Sequence, residues 1–210
     1  MAGCTLPTGF AKQTTSLSAR SSHSFGGKVA PRARTVSGRV AERKMLISMG
    51  PNKVAVMMGS PNDLDKMRKA SDMLKKFGLE PVVKVMSAHR QPAEVAEFAS
   101  AGREDGYAAF ICGAGMAAHL AGVVSAHTTL PVVGVPLSGG LPGGIDALYA
   151  TVQMPRGIPV ATVAVDGAAN AAILVAQMLS ITDPSLAVQI EAMREETRAT
   201  LRETNANLDV

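Results

Sequence analysis

Aromatic residues and cysteine are scarce in this chain of 210 residues, which contains no tryptophan, two tyrosines and two cysteines. Because 47% of the residues are hydrophobic, the chain can bury a substantial core, but aliphatic side chains must fill it. Two cysteines supply no disulfide framework, and we expect Cys112, at the end of an apolar run, to be a small buried hydrophobe. No apolar run approaches the roughly 18 residues of a membrane span, so we expect no membrane partner.

Acidic residues are absent from the first 41 positions. Residues 1–45 hold eight basic residues against the single acid Glu42, together with many serines and threonines. This composition is typical of an organelle transit peptide and favours a plastid over a mitochondrion, the alternative being the disordered tail of a cytoplasmic protein. The rest of the chain has 13 basic and 16 acidic residues, a net charge of −3. A basic surface for nucleic acid is therefore not supported.

Familiar metal, nucleophile and nucleotide-loop motifs are missing as well. The four histidines are dispersed, so a zinc-type site is not expected. There is no Gly-x-Ser-x-Gly elbow and no Walker loop, and Ala118 stands where a dinucleotide fingerprint would have glycine. These absences leave a small phosphorylated or otherwise anionic ligand, with proton transfer by a histidine.

A regular alternation of strand and helix patterns begins at Lys53. Five apolar runs predict strands, at residues 53–58, 81–86, 107–112, 131–135 and 159–165. The alternation predicts an α/β three-layer sandwich, with a five-stranded parallel sheet of flavodoxin-like order covered by helices on both faces. We divide the chain into a leader (1–45), a folded domain (53–182) and a C-terminal helix (183–204). That helix carries a narrow apolar stripe, which packs on a neighbouring subunit or on its own domain.

Polar side chains follow the first two predicted strands. Ser60 and Asp63 lie in a loop that opens a helix, where backbone N–H groups hold anions; Asp63 can accept from sugar hydroxyls or simply cap the helix. The loop after the second strand supplies Ser87, His89 and Arg90. A hydroxyl, an imidazole and a guanidinium can provide an oxyanion contact, a proton carrier and an anion clamp.

The third predicted strand leads into a glycine-rich stretch that ends in a histidine. Gly115 lets the backbone approach a flat ligand closely, and His119 follows four residues later. Taken alone, His119 is more often structural than catalytic, and His127 is interpreted as a helix-end residue. Because the first three strands are neighbours in a flavodoxin-like sheet, we expect their loops to converge on one crevice.

Four motifs in order carry a resemblance to a known family: Gly59–Asp63, Ser87–Pro92, Gly113–Leu120 and Val152–Val160. Together they resemble the PurE family of de novo purine biosynthesis over about residues 53–182. The Ser-Ala-His-Arg and Ala-Ala-His-Leu forms are similar to class I, the N5-carboxyaminoimidazole ribonucleotide mutases. Two positions depart from the usual pattern. Asn62 replaces a serine, and Met116 replaces a glycine, so its side chain must point away from the ligand or narrow the pocket.

The resemblance implies a reaction, a set of roles and a set of partners. The implied substrate is a ribonucleotide, and no cofactor is needed. The implied assembly is a homo-octamer, and an upstream ATP-dependent carboxyaminoimidazole ribonucleotide synthetase is the implied source of the substrate. His89 is the implied general acid/base for moving the carboxylate from N5 to C4. The implied substrate-binding residues are Ser87 and Arg90 with Ser60 for the phosphate, Asp63 for the ribose, and Gly115 and His119 at the base.

Three alternatives stay open. A direct carboxylase of aminoimidazole ribonucleotide usually has lysine at the position of Arg90 and a different third motif. A related carboxylase that builds a nickel-pincer cofactor is disfavoured by the short single-domain chain and by the Ser-Ala-His-Arg loop. A non-catalytic nucleotide-binding module would keep the pocket but lose turnover.

Overall fold

The structure, a computed structural model, describes residues 52–208, so the predicted leader lies outside the described residues. Within that range the chain forms one parallel sheet with strand order β2-β1-β3-β4-β5. The strands are β1 (Lys53–Met58), β2 (Glu80–Val85), β3 (Tyr107–Gly115), β4 (Val132–Leu137) and β5 (Ala161–Thr162). The helices are α1 (Leu64–Lys76), α2 (Pro92–Ala101), α3 (Leu120–His127), α4 (Ile145–Val152), α5 (Ala168–Leu179) and α6 (Pro184–Ala206). This is the predicted flavodoxin-like order.

Alternate residues of the buried strands serve the two faces of the sheet. Val54, Val56 and Met58 of β1 pack with α1, α5 and the start of α6 on one face. Ala55 and Met57 pack with α2 and α3 on the other. Side chains of a strand point alternately to its two faces, so one short apolar run fills both cores. The predicted three layers are confirmed.

Capping residues mark the two ends of α1. Ser60 caps a 3₁₀ turn ahead of α1, and its side chain accepts a hydrogen bond from the backbone N–H of Asn62. Gly78 ends α1 in a left-handed conformation, with φ of 70°, as expected for a glycine after a helix. Among residues 52–208, no helix is both long and apolar enough to cross a bilayer.

Four of the five strands differ from their predicted bounds, β2 and β4 by only one or two residues and β3 and β5 by more. β3 continues through Gly115 instead of ending at Cys112, because it stays paired with β4 up to Gly115 and Leu137. β5 is an edge strand that pairs with β4 at only two positions, so it is much shorter than the predicted 159–165 run. Cys112 is 1% exposed, as predicted, and burial raises the pKa of its thiol.

The C-terminal helix docks on its own domain through its first half. Leu186 and Ile190 are buried in the α1–α5 core, and Met193 packs against it. Leu201, at the far end of the predicted apolar stripe, is exposed. Of the two predicted packing modes, docking on the same chain therefore accounts for the start of the stripe.

Candidate active site

A cavity of about 650 Å³ lies at the carboxyl ends of the strands, where the loops after β1, β2, β3 and β4 meet. Open parallel sheets bind ligands at this edge. The convergence expected for the first three loops is thus present. Six of the predicted site residues line the cavity: Ser60, Asp63, Ser87, His89, Arg90 and Gly115.

The first loop brings the Asp63 carboxylate to the cavity, whereas the backbone N–H groups of Gly59, Asn62 and Asp63 are engaged within the fold. The backbone N–H of Asp63 donates to the Ser60 carbonyl at 3.1 Å, which closes the turn. Burial raises the pKa of the Asp63 carboxyl, and the nearby Lys66 ammonium only partly offsets that effect. A carboxylate held where it is poorly hydrated costs free energy. Asp63 therefore places a hydrogen-bond acceptor at the cavity, although its partial burial costs the fold some hydration of the carboxylate.

The second loop is tied both to itself and to the first loop. The Ser87 carbonyl accepts from the backbone N–H groups of Arg90, at 3.2 Å, and Gln91, at 2.8 Å. The Ser87 side chain is almost fully buried. Arg90 Nη2 donates to the Gly59 carbonyl at 2.6 Å, so the guanidinium joins the two loops. A guanidinium has five N–H donors, which leaves the others available to an anion.

The two histidines at the site contact each other directly. His89 Nε2 lies 2.9 Å from His119 Nδ1, and the two rings meet edge to face, with centroids 5.0 Å apart. When both rings are neutral, one nitrogen of this pair carries the proton and the other accepts it. His119 does not line the cavity itself; it reaches the site through His89. His127 ends α3, as interpreted from the sequence.

The third loop pairs a tight backbone contact with a strained residue. A Cβ on Gly115 would lie 3.0 Å from the Leu137 carbonyl oxygen, so a side chain there would crowd β4. Met116 has a φ of 54°, in the left-handed region that residues other than glycine rarely adopt. Its side chain is 63% exposed and lies at the cavity. Met116 therefore lies beside the cavity, and the narrowing of the pocket by its side chain stays a prediction.

Three residues at this edge were missed by the sequence reasoning. Lys66 on α1 donates to the carbonyl and to the hydroxyl of Ser138, both at 2.6 Å. It also lies 3.2 Å from Asp166. Ser138 and Asp166 follow the fourth and fifth predicted strands, so the rule applied to the first three strands would have found them. No sequence signal links Lys66 to residues 72 and 100 positions away.

No group of three or more histidine, cysteine, aspartate or glutamate side chains able to hold a metal ion occurs within residues 52–208. The cavity offers a histidine pair for proton transfer, Arg90 for an anion, and Asp63 as an acceptor.

Comparison with known proteins decides the family. Residues 53–200 match the family model described as AIR carboxylase. A Vibrio vulnificus protein named N5-carboxyaminoimidazole ribonucleotide mutase is 47% identical over 156 residues, which are 73% of this chain and 97% of that protein. The chain belongs to the AIR carboxylase family. A Pyrococcus abyssi family member with the same name is 44% identical over 153 residues, covering 73% of this chain and 88% of that protein.

The fold of this AIR carboxylase family member agrees with a solved relative. The crystal structure of Treponema denticola PurE matches with a TM-score of 0.68 at 27% identity, covering 75% of this chain and 99% of that one. The PurE resemblance read from the four motifs is confirmed, and so are the fold class and the prediction that the chain is an enzyme.

Proposed function

We propose that this enzyme converts N5-carboxyaminoimidazole ribonucleotide to 4-carboxyaminoimidazole ribonucleotide (CAIR) in purine biosynthesis. The observation that carries the proposal is the cavity itself, where two predicted loops bring His89, Arg90 and Asp63 together and a third loop adds Gly115. The names of the relatives support it, since the most similar family members described above are called mutases. The reaction moves one carboxylate within one molecule and needs neither an oxidant nor an added group.

His89 is the proposed general acid/base. When the N5–carboxylate bond breaks, N5 must gain a proton so that carbon dioxide and aminoimidazole ribonucleotide form; when C4 then attacks the carbon dioxide, C4 must lose a proton. A histidine can perform both transfers, because imidazole titrates near neutral pH. Support comes from the 2.9 Å contact with His119, which fixes the orientation of the His89 ring. A closed cavity would hold the carbon dioxide until it is recaptured.

The other residues at the cavity are proposed to bind different parts of the substrate. Arg90 binds the 5′-phosphate with Ser87 and Ser60, and Asp63 accepts from a ribose hydroxyl. Support for the phosphate end is the donor-rich junction at which Arg90 meets Gly59, since guanidinium groups bind phosphate oxygens strongly. The backbone at Gly115 lies against the base, and His119 acts behind His89.

Direct carboxylation of aminoimidazole ribonucleotide is the second candidate, and the description of the matching family model favours it. An assay that supplies each substrate separately decides between the two. We expect turnover with N5-carboxyaminoimidazole ribonucleotide, and far slower turnover with aminoimidazole ribonucleotide plus bicarbonate. Activity with the second pair alone would sink the mutase proposal. Tight binding of CAIR without turnover of either substrate would indicate a non-catalytic binding module.

A homo-oligomer, an octamer by resemblance to the PurE family, is proposed as the working assembly. Support comes from α4, whose outward side chains Ile145, Tyr149 and Val152 are 39%, 59% and 46% exposed. They lie at i, i+4 and i+7 and form one apolar stripe on the helix. An exposed stripe of this kind marks an interaction surface.

Residues 1–45 are proposed as a plastid transit peptide on composition alone, since they lie outside the described residues. A fusion of residues 1–45 to a fluorescent protein tests this in cells with plastids: import supports the proposal, and cytoplasmic or mitochondrial fluorescence contradicts it. An upstream ATP-dependent synthetase is the proposed source of the substrate.

A further inference from the structure

Lys66, Ser138 and Asp166 form a connected network at the cavity that the proposed reaction does not use. The network joins α1 to the loops after β4 and β5. Asp166 accepts from the Ser138 backbone N–H at 3.0 Å and from the Ser138 hydroxyl at 2.5 Å, and both Lys66 and Ser138 line the cavity. Asp166 has a φ of 57°, in a region that costs free energy and is often found at functional sites.

All three N–H donors of the Lys66 ammonium have partners within the network. An ammonium has three N–H donors and no acceptor. These three are directed at the carbonyl of Ser138, at the hydroxyl of Ser138, and at Asp166. Lys66 therefore has no proton left for a ligand, and its part is to hold Ser138 in place.

The Ser138 hydroxyl donates its hydrogen bond in one direction only. Burial raises the pKa of Asp166, but hydrogen bonds from Ser138 and Lys66 outweigh it and lower the pKa overall. Asp166 is thus ionised at neutral pH and can only accept, so the Ser138 O–H must donate to it. A hydroxyl oxygen has two lone pairs, and Lys66 takes one. A single lone pair remains, and a ligand group that meets it must be a hydrogen-bond donor.

Asp63 places a second acceptor on the same side of the cavity. Asp63 lies at the N-cap of α1, three residues before Lys66 in the first turn of that helix, and Lys66 in turn contacts Ser138. Phosphate and carboxylate oxygens are acceptors, so this side disfavours them. A ribose carries two neighbouring hydroxyl donors, which match two neighbouring acceptors.

We propose that Ser138, oriented by Lys66 and Asp166, accepts a hydrogen bond from one of the two ribose hydroxyls of the substrate and so favours the ribonucleotide over the analogue that lacks that hydroxyl. Ser138 is the binding residue, and Lys66 and Asp166 are positioning residues. This inference rests on the proposed function, because it takes the ligand to be the ribonucleotide.

The test compares binding of CAIR with binding of its 2′-deoxy and 3′-deoxy analogues by calorimetry, in wild type and in Ser138→Ala. We expect wild type to bind both deoxy analogues more weakly than CAIR, and the analogue that lacks the hydroxyl bound by Ser138 by about 2- to 12-fold, the effect of one hydrogen bond. Ser138→Ala should bind CAIR more weakly by a similar factor and bind that analogue and CAIR equally. Lys66→Met should also lose the preference, since the hydroxyl is no longer held.

The preference for ribose separates a binding role from a merely structural one. Ser180→Ala, which removes a hydroxyl bonded to a helix carbonyl in α5, is the matched control and should keep the full preference. If Ser138→Ala keeps it too, or weakens all three ligands equally, the ribose assignment is overturned while the proposed function stands. If wild type does not bind CAIR at all, the proposed function fails and the inference fails with it.

Discussion

His89 can be tested without disturbing the fold, because its side chain lies at the open cavity. We expect His89→Asn to lower kcat by at least about 100-fold, since positioned acid/base groups contribute that much or more. Binding of CAIR and the melting temperature should stay close to the wild-type values. Steady-state kinetics with calorimetry measure both effects. His127→Asn, at the end of α3, is the control and should keep full activity; unchanged turnover in His89→Asn would remove this residue from the mechanism.

Arg90 combines two contacts that one experiment can separate. Its guanidinium holds the Gly59 carbonyl and is proposed to bind the phosphate. We expect Arg90→Ala to weaken binding of CAIR by about 1.5–3 kcal/mol, the range for a charged hydrogen bond, and to leave binding of the dephosphorylated nucleoside almost unchanged. Calorimetry with both ligands measures this. Equal losses for the two ligands would mean that Arg90 serves only to hold the loop; Arg103→Ala, which removes contacts to Thr129, is the control.

We expect the Asp63 carboxylate to be needed for activity but to lower the stability of the folded protein at neutral pH. Burial raises the pKa of its carboxyl, so the ionised form is disfavoured in the folded state. We expect Asp63→Asn to unfold with a free energy no lower than that of wild type at pH 7, although it loses activity. The difference should shrink as the pH falls through the raised folded pKa, and should vanish below the unfolded value of about 3.9. Urea titrations from pH 7 to pH 3.5 measure it; a wild type that gains nothing relative to the variant on acidification would contradict the argument.

At the level of elements, the sequence predicted what local pattern controls. The apolar run 53–58 became β1 with its predicted bounds, and Gly78 stopped α1. The bounds of β3 and β5 depended on which partner strand was available, which no local pattern reports. The site divides in the same way. His89 and Arg90 follow strands and were found, whereas Lys66 reaches the site across 72 residues, and only the folded chain brings it to Ser138.

The packing of α1 on β3 depends on Gly113, the first residue of the third motif, which the sequence linked to a ligand and not to helix packing. A Cβ on Gly113 would lie 2.3 Å from Met67 Sδ, and Met67 is fully buried. We expect Gly113→Ala to lower the free energy of unfolding by about 1–3 kcal/mol, as overpacked cores do, because α1 must move away from the sheet. Gly59→Ala is the control, since nothing lies within 4 Å of a Cβ there. Chemical denaturation measures both, and equal stability of the two variants would show that Met67 repacks without cost.

At the scale of the whole molecule, the exposed apolar side chains of α4 distinguish that helix from the cavity at the carboxyl ends of the strands. The cavity side carries polar and charged groups, whereas α4 presents Ile145, Tyr149 and Val152 to solvent. Its opposite face is buried, at Ala147 and at Thr151, whose hydroxyl donates to the Ala147 carbonyl, so the apolar stripe is the face that α4 turns to solvent. A surface helix of a monomer is normally polar on its outer face, and a second subunit would bury what this chain leaves exposed.

The proposed oligomer makes a definite prediction about α4. Tyr149→Lys places a charge at the centre of the stripe, where aromatic side chains often carry much of the binding energy of an interface. We expect the variant to elute as a smaller species than wild type in size-exclusion chromatography with light scattering, at micromolar concentration and with an unchanged circular dichroism spectrum. Ile181→Lys changes an apolar side chain that is 85% exposed in the turn between α5 and α6, and it should leave the mass unchanged. If Tyr149→Lys keeps the wild-type mass, or wild type is itself a monomer, α4 is not the contact and its exposed stripe needs another explanation.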